Sequence, residues 1–132
     1  MTDLAESVAQ AFIRAINRQD VDAIAGLMTE QHRFIDSLGK ISEGRGTMRQ
    51  GWTRYFQMVP DYTVAVEETM CDGPVVVMLG VAGGTYAAQG QPKPENHWTT
   101  PTVFRAFIED GKVGEWRVYC DNEPIRKAAS RS

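Results

Sequence analysis

The sequence predicts one α+β domain in which a curved antiparallel sheet wraps around three N-terminal helices. Apolar residues recur at helical spacing in the first half of the 132-residue chain. Alternating or continuous apolar runs, separated by glycine-containing turns, fill the second half. Helices followed by strands are typical of an antiparallel sheet with its helices on one side. The length suits a single domain, and we expect residues 1–132 to form one.

Three helices are predicted before Pro60. The first covers about residues 3–18, where one apolar stripe consists of Leu4, Val8, Phe12 and Ile16. A short second helix follows, with Asp20 as its N-cap. The third runs over about residues 47–58 and ends before Pro60.

Strands account for most of the remaining chain. A short one covers residues 32–36 between the second and third helices. Four more are predicted over residues 62–66, 75–81, 97–108 and 113–121. One glycine and two prolines among polar residues indicate a long loop over residues 86–95. We expect residues 127–132 to be a disordered tail.

One strand is too apolar to have a solvent-facing side. Residues 75–79 are apolar on both faces, whereas three amphipathic helices cover only one face of a sheet. A second copy of the chain is the simplest cover for the other face. The sequence therefore predicts a homodimer.

Charge and motif content argue against several classes of function. The formal net charge of -3 gives no basic footprint for nucleic acid. No apolar run approaches the ~20 residues that span a membrane, and no secretory signal is evident, so we expect a cytoplasmic protein. The cysteines and histidines lack metal-site spacing, and the phosphate-binding glycine motifs are absent. We therefore expect neither a metal nor another cofactor.

Asp36 is the first candidate catalytic residue. Phe34 shares its strand face, and Trp52 and Tyr55 of the third helix can close over it. A carboxylate among aromatic rings resists ionisation, which suits a general base. The alternative is that Asp36 caps the turn formed by residues 37–39.

The last two strands supply the other candidates. Arg117, Tyr119 and Asp121 share one face of the last strand, which faces either a pocket or solvent. His97 is the histidine best placed for proton transfer, because histidine exchanges protons near neutral pH. Next to it, Trp98 is a candidate wall of an aromatic cavity.

Four segments together resemble a known family. They are residues 32–39 (HRFIDSLG), 43–45 (EGR), 52–60 (WTRYFQMVP) and 110–121 (DGKVGEWRVYCD). The chain resembles the SnoaL-like polyketide cyclase and ketosteroid isomerase branch of the nuclear transport factor 2-like superfamily over residues 4–125. The resemblance implies a cone-shaped α+β barrel around a small-molecule pocket, and this fold hosts several chemistries.

The resemblance also implies roles for individual residues. Asp36 falls where the isomerases keep their general base, and Asp121 where the cyclases keep an acid/base carboxylate. The isomerases' oxyanion-binding tyrosine and aspartate correspond to Phe12 and Thr102 here, which argues against steroid isomerase chemistry. Arg117 between two carboxylates resembles the arrangement of the epoxide-hydrolase relatives.

The resulting functional hypothesis is a cofactor-independent acid/base enzyme for a small apolar carbonyl- or ring-containing molecule. Cyclase or isomerase chemistry is preferred over epoxide hydrolysis. A non-catalytic small-ligand-binding domain and a dimeric interaction module are the alternatives. In the acid/base hypothesis either Asp36 or Asp121 takes a proton, and convergence of the two carboxylates on one apolar cavity would support it. The hypothesis fails if Asp36 caps its turn and Asp121 faces solvent.

Overall fold

Four helices and six strands make up the fold. The computed structural model describes residues 4–88 and 91–131. The helices are α1 (Leu4–Asn17), α2 (Val21–Gly26), α3 (Arg45–Met58) and α4 (Glu123–Ser130). The strands are β1 (Met28–Ile35), β2 (Ile41–Glu43), β3 (Thr63–Asp72), β4 (Val75–Ala88), β5 (Gln91–Glu109) and β6 (Lys112–Cys120).

The strands form one curved sheet in the order β2-β1-β6-β5-β4-β3, which does not close into a barrel. This confirms the α+β class with N-terminal helices, but the sheet is mixed. Every neighbouring pair is antiparallel except β1 and β6, which run parallel with Phe34 opposite Trp116. The prediction of an all-antiparallel sheet was wrong here because no hairpin joins β1 to β6 and fixes their relative direction.

Two segments expected to be irregular are regular. The loop predicted over residues 86–95 is mostly strand, since Ala87 pairs with Pro92 and β5 begins at Gln91. The prolines are tolerated because this end of β5 extends beyond β6, whose pairing stops at Thr102. The predicted disordered tail is also wrong as far as Ser130, because α4 packs Ala128 into the core. Ser132 lies outside the described residues.

An aromatic stack joins α1 to the sheet. Phe12 of α1 lies 4.7 Å from the ring of Trp116, and Phe104 stacks on Trp116 at 5.3 Å. All three side chains are almost completely buried. Such aromatic pairs contribute roughly 0.5–1.5 kcal/mol each beyond the burial of apolar area. The stack therefore fixes the helical layer against the inner face of the sheet.

The outer face of the sheet carries an apolar strip at its centre. Its members are half-buried residues of β4 and β5, namely Val75, Val77, Leu79, Val81, Val103 and Phe107. Charges flank the strip on both sides. Glu68 and Asp72 lie on the β3 side, whereas Arg105 and Arg117 lie on the β5 and β6 side, where one carboxylate, Glu115, pairs with Arg105 at 3.0 Å.

His32 is a fully buried residue of β1. Its Nδ1 lies 2.7 Å from the carbonyl oxygen of Val113, so Nδ1 carries the hydrogen that this contact requires. Its Nε2 is buried with no hydrogen-bond partner among the described residues. Burial lowers the pKa of His32, although the Val113 carbonyl and Glu115 oppose the shift. The histidine is therefore a structural residue that is neutral in the folded state.

The buried imidazole predicts a stability that falls with acidity. Below the ordinary pKa of 6.5 the unfolded chain binds a proton that folded His32 does not. The free energy of unfolding then drops by up to about 1.4 kcal/mol per pH unit as pH falls. Urea unfolding at about pH 7.5, 6.5 and 5.5 measures this loss. His32→Asn keeps the donor to Val113 and should remove the dependence, whereas His97→Asn should retain it. Identical profiles for wild type and His32→Asn would contradict the assignment.

Candidate functional site

A cavity of about 420 Å³ lies between the inner face of the sheet, α3 and the start of α4. Most of its wall is aromatic. The principal rings are those of Phe34, Trp52, Tyr55, Trp98, Phe104 and Trp116. The cavity thus has the size and apolar character of a small-molecule pocket.

Aromatic contacts hold these walls in place. Trp52 packs edge-on against Phe34 at 6.3 Å, which joins α3 to β1. Tyr55 packs perpendicular to Tyr62 at 5.0 Å, and Tyr62 contacts Trp98 at 6.1 Å. These contacts connect α3, the segment before β3, and β5 into one continuous wall. The cavity is therefore formed without a bound ligand.

Three tyrosines supply hydroxyl groups to the lining. Tyr55, Tyr62 and Tyr86 all line the cavity, and no hydrogen bond to their hydroxyls occurs among the described residues. Burial raises the pKa of each one, and the proximity of Tyr62, Tyr86 and Cys120 adds to the shift at Tyr55. The hydroxyls therefore stay protonated and act as neutral hydrogen-bond donors.

Several other polar groups of the lining are paired, whereas the buried indole N–H groups of Trp52, Trp98 and Trp116 have no partner among the described residues. Thr100 donates to the backbone oxygen of Asp121 at 2.8 Å, and Thr102 donates to that of Thr100 at 3.0 Å. The hydroxyl of Ser37 donates to Oδ1 of Asn122 at 2.5 Å, which joins the turn after β1 to the start of α4. Burial raises the pKa of the Cys120 thiol, so this cysteine is protonated rather than a ready nucleophile.

Asp36 lies at the cavity but also caps its turn. Its Oδ1 accepts hydrogen bonds from the backbone amides of Leu38 at 2.9 Å and Lys40 at 3.0 Å. The side chain nevertheless contributes to the lining. Among the described lining residues, only Asp36 and Arg54 are charged. Asp36 is therefore both a cavity residue and the cap of the turn formed by residues 37–39, the two alternatives that the sequence left open.

The face of β6 that was expected to carry chemistry points away from the cavity. Trp116, Val118 and Cys120 line it, whereas Arg117 and Tyr119 lie on the outer face. Arg117 stacks over the ring of Tyr119 at 4.8 Å instead of pairing with Asp121. The alternation of residues along β6 correctly separates its side chains into two faces. The inner face, however, is the one that carries the large apolar side chains.

Asp121 is exposed and is not part of the lining. Its Oδ1 accepts a hydrogen bond from the backbone amide of Glu123 at 3.0 Å, at the first turn of α4. The structure therefore does not bring Asp36 and Asp121 together on the cavity. Because Asp36 caps its turn and Asp121 is exposed, the two-carboxylate acid/base mechanism expected from the sequence fails.

His97 is exposed on the outer face, because Trp98 beside it occupies the inner one. Its Nδ1 lies 2.9 Å from the hydroxyl of Thr85. Asp61 accepts from both the hydroxyl and the backbone amide of Thr85, at 2.8 Å and 2.7 Å. Since the single hydroxyl hydrogen goes to Asp61, Nδ1 of His97 is the donor to Thr85. This network braces the wall from outside and cannot reach a ligand inside.

Sequence reasoning placed five residues that do line the cavity and missed several others. The five are Phe34, Asp36, Trp52, Tyr55 and Trp98. Tyr62, Tyr86 and Asn122 were overlooked, and so were Thr100, Thr102 and Phe104, which an alternation count from Trp98 along β5 would have identified. Within residues 4–88 and 91–131, no three metal-binding side chains converge. In the same part of the chain, every helix is too short or too polar to cross a bilayer.

A layered α+β domain whose curved sheet and helices enclose a pocket defines the nuclear transport factor 2-like class. A family model for the SnoaL-like domain matches residues 9–116. The protein is a member of the SnoaL-like domain family. The curated proteins contain no significant sequence match.

Solved structures share the fold at low sequence identity. A candidate SnoaL-like polyketide cyclase from Shewanella denitrificans has a TM-score of 0.85 and 16% identity, covering 99% of this chain and 100% of its own. A candidate polyketide cyclase from Xanthomonas campestris has a TM-score of 0.84 and 20% identity, with 95% and 96% covered. An epoxide hydrolase of the LEH-like type from M. tuberculosis has a TM-score of 0.80 and 16% identity, with 97% and 90% covered. These similarities establish the fold alone.

Proposed function

We propose that the cavity binds a small, neutral, ring-containing organic molecule that carries a carbonyl oxygen. The observation that supports this most directly is the set of three tyrosines, Tyr55, Tyr62 and Tyr86, whose hydroxyls lack protein partners beside an aromatic wall. An aromatic wall favours a flat ring, and an unpaired hydroxyl favours an acceptor oxygen.

The size of the cavity and the charges of its lining restrict the class of ligand further. A cavity of about 420 Å³ lies at the lower end of the range for small-molecule pockets, so the ligand is compact. Burying an unpaired charge is far more costly than burying a paired polar group. The two charged lining residues, Asp36 and Arg54, are not among the buried ones, so an ion would lack a buried counter-charge. A neutral ligand is therefore favoured.

The first test compares 2-indanone with indane, which lacks only the ketone oxygen. A tyrosine hydroxyl that donates to the ketone should make 2-indanone bind roughly 5-fold more tightly than indane. Tyr55→Phe and Tyr62→Phe should lower this preference while leaving the affinity for indane unchanged. Binding is measured by NMR titration.

Tyr119→Phe is the matched control, because that tyrosine lies outside the cavity on the outer face. It should behave like wild type. Equal affinities for the two compounds in wild type would contradict hydrogen bonding by the tyrosines, and no binding of either would contradict the proposal.

Proton transfer by Asp36 alone, without Asp121, is a second candidate function, because the Asp36 side chain lines the cavity as well as capping its turn. The two backbone amides that bind its Oδ1 orient the carboxylate at the cavity, and its Oδ2 has no hydrogen-bond partner among the described residues. The carboxylate would take a proton from the carbon next to a carbonyl group. The resulting enolate oxygen would accept hydrogen bonds from the tyrosine hydroxyls, which are donors of the kind that stabilise such charge. Epoxide hydrolysis has less support, because Arg117 and Asp121 lie away from Asp36.

Hydrogen–deuterium exchange at the carbons flanking the ketone of 2-indanone tests this candidate. Wild type should accelerate exchange in D₂O above the rate in buffer. Asp36→Asn should abolish the acceleration, because a carboxamide is not a base, and should keep binding, because its oxygen still accepts from the turn amides. Exchange at the buffer rate despite binding by wild type would identify a binding domain without turnover.

We also propose that two copies of the chain associate through the apolar strip of the outer face. The flanking charges support a two-fold arrangement, in which the acidic β3 side of one copy faces the basic β5 and β6 side of the other. A cytoplasmic location remains a prediction from the sequence.

Analytical ultracentrifugation at micromolar concentration tests the association. Wild type should sediment as a dimer, and Leu79→Glu should sediment as a monomer because it places a charge in the strip. Gln57→Glu, on the exposed side of α3, is the control and should remain dimeric. A monomeric wild type would overturn this part of the proposal.

A further inference from the structure

Asn96 is a fully buried residue whose side-chain amide has no partner. It lies on the inner face of β5, two residues before Trp98, and its exposed fraction is 0%. Neither its Nδ2 nor its Oδ1 forms a hydrogen bond within the described part of the chain. A carboxamide offers two donor hydrogens and an acceptor oxygen, so all of this capacity is unused.

The amide lies just past one end of the cavity. Trp98, its neighbour on the same strand face, lines the cavity, and so does Tyr86 of the adjacent strand β4. The helix α4 packs against this part of β5 and lines the cavity through Ile125. Arg131 then donates to the backbone oxygen of Glu95 at 3.0 Å, directly beside Asn96. Asn96 therefore lies next to the residue that the C-terminal end of α4 contacts, beyond Trp98 and outside the cavity lining.

An unpaired buried amide is a net cost to the folded protein. Leaving a buried donor or acceptor unsatisfied costs roughly 1–3 kcal/mol, whereas an apolar residue of similar shape would avoid that cost. Buried polar groups in native proteins are nearly always paired, so each exception requires an explanation. A ligand group that pairs with the amide provides one.

We infer that Asn96 is a ligand-binding residue, which pairs with a lactam or carboxamide group of a ring-containing ligand that reaches past Trp98 beneath α4. The inference rests on the proposed binding function and deepens it by naming the polar group of the ligand. The ligand N–H donates to Oδ1 of Asn96, and its carbonyl oxygen accepts from Nδ2. Only a group with a donor and an acceptor side by side forms both bonds, which is what distinguishes a lactam from a ketone.

The position of α4 permits such access. The helix is eight residues long, and only Ala128 among its residues is fully buried. Few buried contacts must therefore change for a ligand to reach the amide. The free energy released when the amide finds partners offsets the loss of those contacts.

The experiment compares oxindole with 2-indanone, which differ by one ring N–H in place of a CH₂ group. Wild type should bind oxindole about tenfold more tightly than 2-indanone. Asn96→Leu should bind the two compounds with equal affinity and melt at a higher temperature in the free state. Thr99→Leu, on the outer face of the same strand, is the control and should keep the preference for oxindole.

A second measurement does not depend on the folding of a variant. In wild type, the side-chain amide signals of Asn96 should shift on titration with oxindole and stay unchanged with 2-indanone. Binding of both compounds with equal affinity and no shift would overturn the inference and leave the proposed function intact. Failure of wild type to bind even 2-indanone would overturn the proposed function and this inference with it.

Discussion

The packing of Trp116 is the interaction on which both the fold and the cavity depend. Its ring lies between Phe12 of α1 and Phe104 of β5, and it is completely buried. The same residue lines the cavity. Because β6 also pairs with both β1 and β5, the residue fixes the centre of the sheet, the position of the helical layer and one wall of the site at once. Replacement by a smaller residue would therefore enlarge the cavity only by loosening the core.

The interior is polar in places but almost without charge. The hydroxyls of Thr100 and Thr102 donate hydrogen bonds to backbone carbonyls. A hydrogen bond between Ser37 and Asn122 joins the turn after β1 to the start of α4. Tyrosine hydroxyls, whose raised pKa values keep them neutral, are among the unpaired groups available to a ligand. A site of this kind discriminates through hydrogen-bond geometry and ring shape rather than through ion pairing. Catalysis, if Asp36 performs it, would start from a carboxylate at the edge of that neutral environment.

The sequence carried enough information for the fold class and for part of the cavity wall. Helical spacing identified Trp52 and Tyr55, and strand alternation identified Phe34 and Trp98 as cavity residues. Alternation alone does not say which face of a strand is the inner one, and for β6 the polar face was assigned to the pocket. The bulk of Trp116 was the better guide, because the face that carries the largest apolar side chain packs against the helices. The same reasoning places His97 on the outer face, because the bulky neighbouring Trp98 takes the inner one.

Other features depend on contacts between distant segments and could not be derived from local patterns. The parallel pairing of β1 with β6 joins residues about eighty positions apart, as in Phe34 and Trp116. The contact of Arg131 with the backbone of Glu95 joins the end of α4 to β5, although no helix was predicted there and residues 127–132 were expected to be disordered. The helix and strand propensities of a local segment do not predict such pairings, because tertiary packing determines them.

A crystal structure of the protein with 2-indanone tests the central claim that the cavity is a preformed site for neutral carbonyl compounds. The account predicts the ring between Trp98 and Tyr55, with the ketone oxygen within hydrogen-bonding distance of a tyrosine hydroxyl. An empty cavity at saturating 2-indanone, or a ligand found only on the outer face of the sheet, would contradict it.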